Sequence, residues 1–274
     1  MLSVNTNTSA LTALQYLNNT NSELQTTESA VSSGLKVSSA KDNGAIFAIA
    51  QNMRGNVAGY SSVTDSLNRG ISVVDTALSA AQSVSDLLIQ MKANALSASD
   101  SSLDSTSRAS LAADFTSMAA QITTIVDNAS FNGVNLVDGT NTAGISALAS
   151  ASDQSQTISV ADQDLTVSTL KVGTAYTTAK ATSAAAMVAT VSAAIIAVNT
   201  ALSALSSGSK KFSIQADFVS KLSDTLTTGI GNLVDADMSK ESALLTSLQT
   251  KQQLGVQALS IANSAPSTIL SLFK

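Results

Sequence analysis

The sequence predicts a mainly α-helical fold: long, antiparallel, coiled-coil-like helices forming a rod, with a small β-hairpin insert. Three observations carry this. The 274 residues include one proline, Pro266, almost at the end, and proline is the residue that most strongly interrupts a helix. Apolar residues recur at alternating spacings of three and four over stretches of fifty residues, the mark of a helix with one buried stripe. Hydrophobic residues make up 44% of the chain but aromatics only 3%. Alanine, serine, threonine and leucine fill the difference, as suits helices packed closely together.

The elements follow in chain order. Leu14, Leu17, Leu24, Val31 and Leu35 keep three/four spacing, with Asn21 and Glu28 at intervening seam positions. An interruption follows, SSGLKVSSAKDNGA from Ser32 to Ala45, with two glycines and a Lys41–Asp42 pair. Beyond it, Ile46, Met53, Tyr60, Leu67, Val74, Ala81, Leu88 and Ala95 recur every seventh residue, with Ile49, Val63, Ala77, Val84 and Met91 as companions. This is a heptad-like seam. Gly55, Gly59 and Gly70 each weaken it by about 1 kcal/mol relative to alanine, and mark either flexibility or the close approach of another helix. A third helix follows Ser99–Ser102, with a stripe of Leu111, Phe115, Met118, Ile122 and Ile125; the short gap implies an antiparallel neighbour.

From Phe131 to Thr178 the pattern changes. Asn132-Gly133 and Asp138-Gly139 are tight-turn signals. Thr157–Val160 and Leu165–Ser168 alternate apolar with polar around Ala161–Asp164, which predicts a polar, surface-facing hairpin. Another long stripe then begins: Val188, Val191, Ile195, Val198, Leu202 and Leu205, continued in register through Phe212, Val219, Leu226 and Leu233. The phase survives Ser206-Ser207-Gly208-Ser209, so one helix is predicted from about Thr182 to Leu233, roughly 75 Å long. Leu244, Leu245, Leu248, Leu254, Leu259 and Ile261 spread over a wide face in a last helix. The two terminal segments cannot cover their apolar faces alone; their partner is each other or another subunit. The near-palindromic layout brings the termini together at one end.

Composition excludes much. There is no cysteine, histidine or tryptophan, so Cys/His zinc sites and Ser-His or Cys-His catalysis are ruled out. No phosphate-cradling glycine loop or calcium-loop pattern stands out, and no cofactor is expected. Asp235 and Asp237 are the one tempting carboxylate pair, but residues two apart on a helix do not share a face; a solvated face or a subunit contact is the better reading. The net charge of −5 without a basic stripe argues against nucleic acid. The uncharged stretch between Lys180 and Lys210 is broken by Thr190, Ser192, Asn199, Thr200 and Ser203, and its periodicity favours a packed seam over membrane insertion. The polar N-terminus does not read as a Sec signal peptide.

The interruption also carries a resemblance. SSGLKVSSAKDNGAIFAIA, Ser32 to Ala50, closely resembles the signature of bacterial flagellin, SSGLRINSAKDDAAGxAIA. Val4-Asn5-Thr6-Asn7 is similar to the family's INTN opening, and Phe131-Asn132-Gly133 with Val134–Gly139 to its FNGxxLLDG hairpin. Val234–Met238 resembles IEDADY, and Gln257–Asn263 with Leu270–Lys274 resembles the LAQANQ…LSLLR end. The resemblance covers about the first 140 and last 95 residues. It implies a structural, non-enzymatic subunit, exported unfolded by a type III route, that self-assembles into the extracellular helical filament used for swimming.

The resemblance also implies roles. Residues 1–45 would form an inner-core helix and spoke, 46–130 a long rod helix with a shorter antiparallel one, and 131–178 a surface insert. Residues 179–234 would form the second rod helix and 235–274 the C-terminal inner-core helix. Leu14, Leu17, Leu24, Val31, Leu248, Leu259, Leu270 and Leu272 would mediate assembly as an inner coiled coil. Ser33, Gly34, Lys41, Asp42 and Gly44 would form the spoke between radial layers, both glycines permitting backbone turns. Val188, Val191, Ile195, Val198, Leu202 and Leu205 would form the rod seam. Partners would be further copies, possible co-assembled flagellins, the hook-associated junction and cap proteins, and an export chaperone. The insert is shorter than in many flagellins, which implies a thin, smooth filament. Asn43-Gly44 replaces the usual acidic-alanine pair. The Arg- and Glu-rich strip read by innate receptors, QRVRELAVQ, is replaced by Leu88–Leu96, LIQMKANAL. The hook–filament junction protein shares both ends of the pattern and is the nearest alternative. A surface adhesin carrying O-glycans on the Ser/Thr-rich insert is the other.

Overall fold

The structure, a computed structural model, describes residues 6–176 and 180–270, the last six of these by their backbone alone. The elements are α1 (Thr8–Ser33), α2 (Ala40–Ala98), α3 (Ser105–Asn128), β1 (Ser130–Phe131), β2 (Val134–Asn135), β3 (Ile145–Leu148), β4 (Thr157–Val160), α4 (Ala181–Val234) and α5 (Met238–Leu270). The fold is mainly helical with two small two-stranded antiparallel sheets. The chain forms two compact units, a central one of Asn56–Ser223 and a terminal one made from the residues up to Gly55 and from Asp224 onward.

In the central unit α2, α3 and α4 share one core. The heptad positions Leu67, Val74, Ala81, Leu88 and Ala95 are fully buried, as are Ala77, Val84 and Met91. On α4 the buried line is Ala184, Val191, Val198, Leu205, Phe212 and Val219, another strict seven-residue repeat. The two helices run antiparallel: a Cβ on Gly70 would lie 3.1 Å from the Phe212 ring, and Ser209 Oγ donates to Asp75 Oδ1 at 3.1 Å. The second line of the α4 seam differs from the predicted one. Val188, Ile195 and Leu202 are half-buried, whereas Ala194 and Ala201 are nearly fully covered. Small side chains let the backbones approach, so the closest contact follows alanines and the larger residues form its shoulder. Similarly, α3 centres on Arg108, Ala112, Phe115, Ala119, Ile122 and Val126. Only Phe115 and Ile122 of its predicted stripe are on the central line; Leu111, Met118 and Ile125 flank it.

The predicted glycine alternatives divide three ways. Gly70 faces a helix, Gly59 faces Ala151 of the insert, where a Cβ would lie 2.8 Å from the alanine methyl, and Gly55 has open space around it. The Ser206–Ser209 stretch is helical. A Cβ on Gly208 would fall 2.6 Å from a Val160 methyl; this glycine seats β4 against α4.

The insert departs most from expectation. The Phe131 hairpin forms as predicted, with Phe131 opposite Val134 and both loop residues left-handed, Asn132 at φ 51° and Gly133 at φ 79°, as a primed two-residue turn requires. The second hairpin pairs Thr157–Val160 with Ile145–Leu148, not with Leu165–Ser168. Ala149 N–H donates to Gln156 O at 2.9 Å and closes its loop. The Leu165 segment is a turn: the Asp164 carboxylate accepts from the Thr166 N–H and hydroxyl at 2.9 and 2.7 Å and from the Thr169 hydroxyl at 2.5 Å. Nor is the region a polar surface. Val160, Leu165, Leu170, Val172 and Tyr176 are buried in the common core, and the Tyr176 ring meets Phe115 edge-on at 5.7 Å. Thr178, the predicted end of the insert, lies outside the described residues.

Arg108, a buried cation, closes the α2–α3 turn. Its Nε donates to Ala98 O at 2.9 Å, and its Nη2 to Asp100 O and Leu103 O at 3.0 Å each. It thereby satisfies carbonyls that the end of α2 leaves unpaired. By length and composition α4 could cross a membrane, with a window of mean hydropathy 1.9; its line from Ala184 to Val219 is buried in the core just described, while Ile196 is exposed.

Candidate functional site

The resemblance directs attention to the terminal unit. Here α1 and α5 pair antiparallel. Asn7 Nδ2 donates to Ala262 O at 2.7 Å, Gln252 Nε2 donates to Asn21 Oδ1 at 2.8 Å, and Gly255 sits against Leu17, 3.1 Å from a built Cβ to Cδ1. The two terminal helices do meet, as the layout predicts; the outermost residues lie outside the described ones. Their pairing buries little: Leu24, Thr27 and Ala30 on α1, and Leu248 on α5. Leu17, Val31 and Leu259 are half-buried. Leu14 is 42% exposed, Tyr16 70%, Leu254 58% and Ile261 71%. Each helix therefore carries exposed apolar side chains besides those turned to its partner. Of the remaining predicted assembly residues, the Leu270 side chain and Leu272 lie outside the described residues.

The interruption has a defined geometry. Asn7 caps the start of α1, its Oδ1 accepting from Ala10 N–H at 3.0 Å. Gly34 ends the helix in the left-handed conformation at φ 72°, its N–H donating to Ala30 O at 2.9 Å, which is the usual reason for a glycine there. Beyond Gly34 the chain is stitched to the segment between α4 and α5. Lys36 N–H donates to Val234 O at 2.8 Å and Ala236 N–H to Gly34 O at 2.9 Å; Lys36 Nζ reaches Asn232 O at 3.1 Å. A small cluster of Val37, Ala50 and Val234 lies beneath, with Leu35, Ile46, Phe47, Ile230 and Leu233 packed on it.

Asp42 organises the start of α2. One carboxylate oxygen accepts from the Ser38 and Ser39 N–H groups at 2.9 Å each, and from their hydroxyls at 2.9 and 3.2 Å. The bonds from Ser39 N–H and the Ser38 hydroxyl hold its pKa below the usual carboxylate value. A depressed folded pKa contributes stability above the unfolded pKa and loses it as pH falls through the folded value. The Ser38 and Ser39 amide resonances are therefore expected to hold steady down past about pH 4 and to shift only below it. Asp42→Asn should abolish that acid transition; an unchanged titration in the variant would refute the assignment.

Gly44 does not make a turn. The non-helical residue is Asn43, at φ −160° and ψ 99°, whose Oδ1 accepts from Ile46 N–H at 3.1 Å and restarts the helix. Gly44 has no positive φ and open space where a Cβ would stand. Asparagine, a good cap, supplies what the prediction gave to glycine. The heptad line shifts here too: Ala50 is fully buried and Ile49 is 51% exposed. Ser33 is exposed and its hydroxyl donates to Ser29 O at 2.7 Å; Lys41 is exposed. Asp235 and Asp237 also part company. Asp237 Oδ1 caps α5, accepting from Ser239 and Lys240 N–H at 3.0 and 3.2 Å, while Asp235 pairs by its backbone with Leu35. The cap was legible in Asp237-Met238-Ser239-Lys240-Glu241, an acidic residue followed by a helical run. Arg108 was not, because its acceptors are carbonyls of the irregular turn before its helix, and the stitch was not, because it joins segments some two hundred residues apart. Among the described residues no cluster of three or more acidic side chains is placed to hold a metal ion.

Comparison with known proteins agrees with this architecture. Residues 4–142 match the bacterial flagellin N-terminal helical region and residues 188–273 the bacterial flagellin C-terminal helical region. Flagellin FljM of Caulobacter vibrioides is 47% identical, the alignment covering 99% of this chain and 98% of that one. A flagellin of Brucella melitensis is 36% identical over the full length of both. The crystal structure of Bacillus cereus flagellin is similar with a TM-score of 0.40 at 21% identity, covering 65% of this chain and 93% of that one. The helical regions at both ends, the capped interruption and the near-full-length identities lead to one conclusion: this chain belongs to the bacterial flagellin family.

Proposed function

We propose that this chain, a structural and non-enzymatic subunit of the extracellular flagellar filament, polymerises through the solvent-facing sides of α1 and α5. The observation that carries this is the exposure of Leu11, Leu14, Tyr16, Leu254, Val256 and Ile261 on two helices that already pair with each other. Apolar faces left open in an isolated chain are covered by association. In this reading the paired terminal helices stack into an inner tube and Ser33–Gly44 forms the spoke leading outward from it. Val188, Val191, Ile195, Val198, Leu202 and Leu205 belong to the rod seam. Export proceeds unfolded, with a chaperone, and junction and cap proteins bound the filament. The short insert leaves that filament thin and smooth.

Seeded polymerisation of purified, heat-dissociated protein followed by electron microscopy tests the reading. Long filaments are expected. Short, self-limited assemblies would point instead to a junction protein.

The receptor-facing strip gives a separate expectation. On α2, Leu88, Met91 and Ala95 are buried while Ile89 and Leu96 are exposed. Exposed aliphatic groups cannot replace the paired, charge-assisted bonds that arginine and glutamate form at an interface. Purified monomer should give weak activation of the flagellin-sensing Toll-like receptor in a reporter assay. A response equal to that of a strongly sensed flagellin would contradict this.

A further inference from the structure

The central unit holds one carboxylate oxygen in an unfavourable place. Asp162 follows β4, and its Oδ1 is screened from solvent without accepting a hydrogen bond from any described group. A buried acceptor left unpaired costs free energy, and more so when it carries charge. The backbone beside it is fixed. Gln163 N–H donates to Leu136 O and Leu165 N–H to Val137 O, both at 2.9 Å, so this segment is laced to the stretch that follows the Phe131 hairpin. The lacing brings two more carboxylates in. Asp138 lies on the opposite segment, its Oδ1 accepting from the Thr140 N–H and hydroxyl at 2.9 and 2.8 Å. Asp164 lies two residues on, its Oδ2 2.9 Å from where a Cβ on Gly139 would stand. Lys211 of α4 lines the groove beside Ala161 and Gln163, but the buried oxygen has no bond to it.

We infer that Asp162 is a proton-operated latch: taking up a proton from mildly acidic water removes a buried, repelled charge and tightens the insert against the segment after the Phe131 hairpin. Burial, then the negative charge of Asp138 and more weakly that of Asp164, pushes the Asp162 carboxyl above the ordinary aspartate value, against the pull of the Gln163 N–H. Asp42, Asp100, Asp104, Asp153 and Asp164 are all held below that value. The chain has no histidine and no cysteine, so no side chain has an ordinary pKa between about 5 and 8; a response to mild acid has to come from a carboxyl that is pushed up. The sign is opposite to that of Asp42. A raised folded pKa contributes stability that is fully present below the unfolded value and is lost as pH rises through the folded one. The latch lies wholly within the central unit and does not depend on how subunits assemble.

NMR of the soluble full chain with isotope-labelled aspartate carboxyls tests this, the Asp162 signal being assigned through its backbone. That signal should titrate above the ordinary aspartate value. Asp138→Asn keeps the Oδ1 that Thr140 bonds but removes the charge, and should move the Asp162 midpoint down. The Gln163 and Leu165 amides report the latch itself. Their exchange protection, corrected for the intrinsic pH dependence of exchange, should rise about twofold or more in the parent as pH falls from about 7 to about 4.5. In Asp162→Asn, an uncharged isostere, protection should be flat over the same range and at neutral pH no lower than the parent's. If circular dichroism shows that Asp162→Asn does not fold, the parent titration and Asp138→Asn decide by themselves. An Asp162 carboxyl that titrates at or below the ordinary value, a midpoint that Asp138→Asn leaves in place, or protection that rises equally in parent and Asp162→Asn would each overturn the inference.

Discussion

Val198→Asp is expected to destabilise the central unit strongly. Val198 has no exposed surface and lies midway along the buried line from Ala184 to Val219. A carboxylate placed there has no cation to pair with, and the penalty of several kcal/mol is a large part of a typical stability of 5–15 kcal/mol. A loss of about 4–6 kcal/mol corresponds to a fall in melting temperature of roughly 10–20 °C for a domain of this size. Circular dichroism of the soluble chain reads this directly. Val198→Ala, which removes two methyl groups and adds no charge, should cost about 1–2.5 kcal/mol. If Val198→Asp melted like its parent, the α4 stripe would not be the core it is described as.

The opposite outcome is expected at the terminal unit. Leu254 and Ile261 are 58% and 71% exposed, so replacing both with serine removes little that holds the single chain together. Its melting should move by no more than a few degrees. On the polymerisation proposed above, those surfaces would be covered in the filament. At about 25 cal/mol per Å², the open parts of the two side chains are together worth about 2–4 kcal/mol, a rise in critical concentration of roughly 30- to 1,000-fold. Sedimentation of seeded reactions measures it. Normal filament growth by Leu254→Ser/Ile261→Ser would remove these side chains from the interface. A large drop in melting temperature would instead place them in a core of the single chain.

The contrast between these two experiments follows how the fold was written in the sequence. Periodicity showed the α2 and α4 seams because a sustained seven-residue repeat has few other physical meanings. It located Leu67, Val74, Leu88, Val198 and Leu205, all of which are fully buried. It misplaced the shoulders, because alanine and glycine carry little weight in an apolar pattern although they set the closest approach, as Ala194, Ala201 and Gly208 do here. The Asn132-Gly133 hairpin was legible because its turn is local. The pairing of Thr157–Val160 with Ile145–Leu148 was not, because Gly144 and Ile145 sit in a stretch of alanine and serine without clear alternation. At the candidate site the motif identified the interruption and its family, but the division of labour within it depended on backbone geometry. Gly34 takes the left-handed turn, Asp42 gathers two serines and Asn43 restarts the helix, while Gly44 does none of these.

The closed loop of the second hairpin bears on where this protein can accept foreign sequence. The Ala149–Gln156 hydrogen bond fixes both ends of the loop, Ala151 is committed to its seat on Gly59, and the residues from Ser152 to Thr157 are exposed. Lengthening a loop whose ends are already held adds only about 0.6 kcal/mol for each doubling of its length. A peptide grafted between Gln154 and Ser155 would leave the Gly59 contact and the strand register intact, whereas one placed beside Val160 would displace β4 from Gly208. In a polymer of many copies, this loop is the position on the central unit from which each subunit could display an added epitope without disturbing its own core.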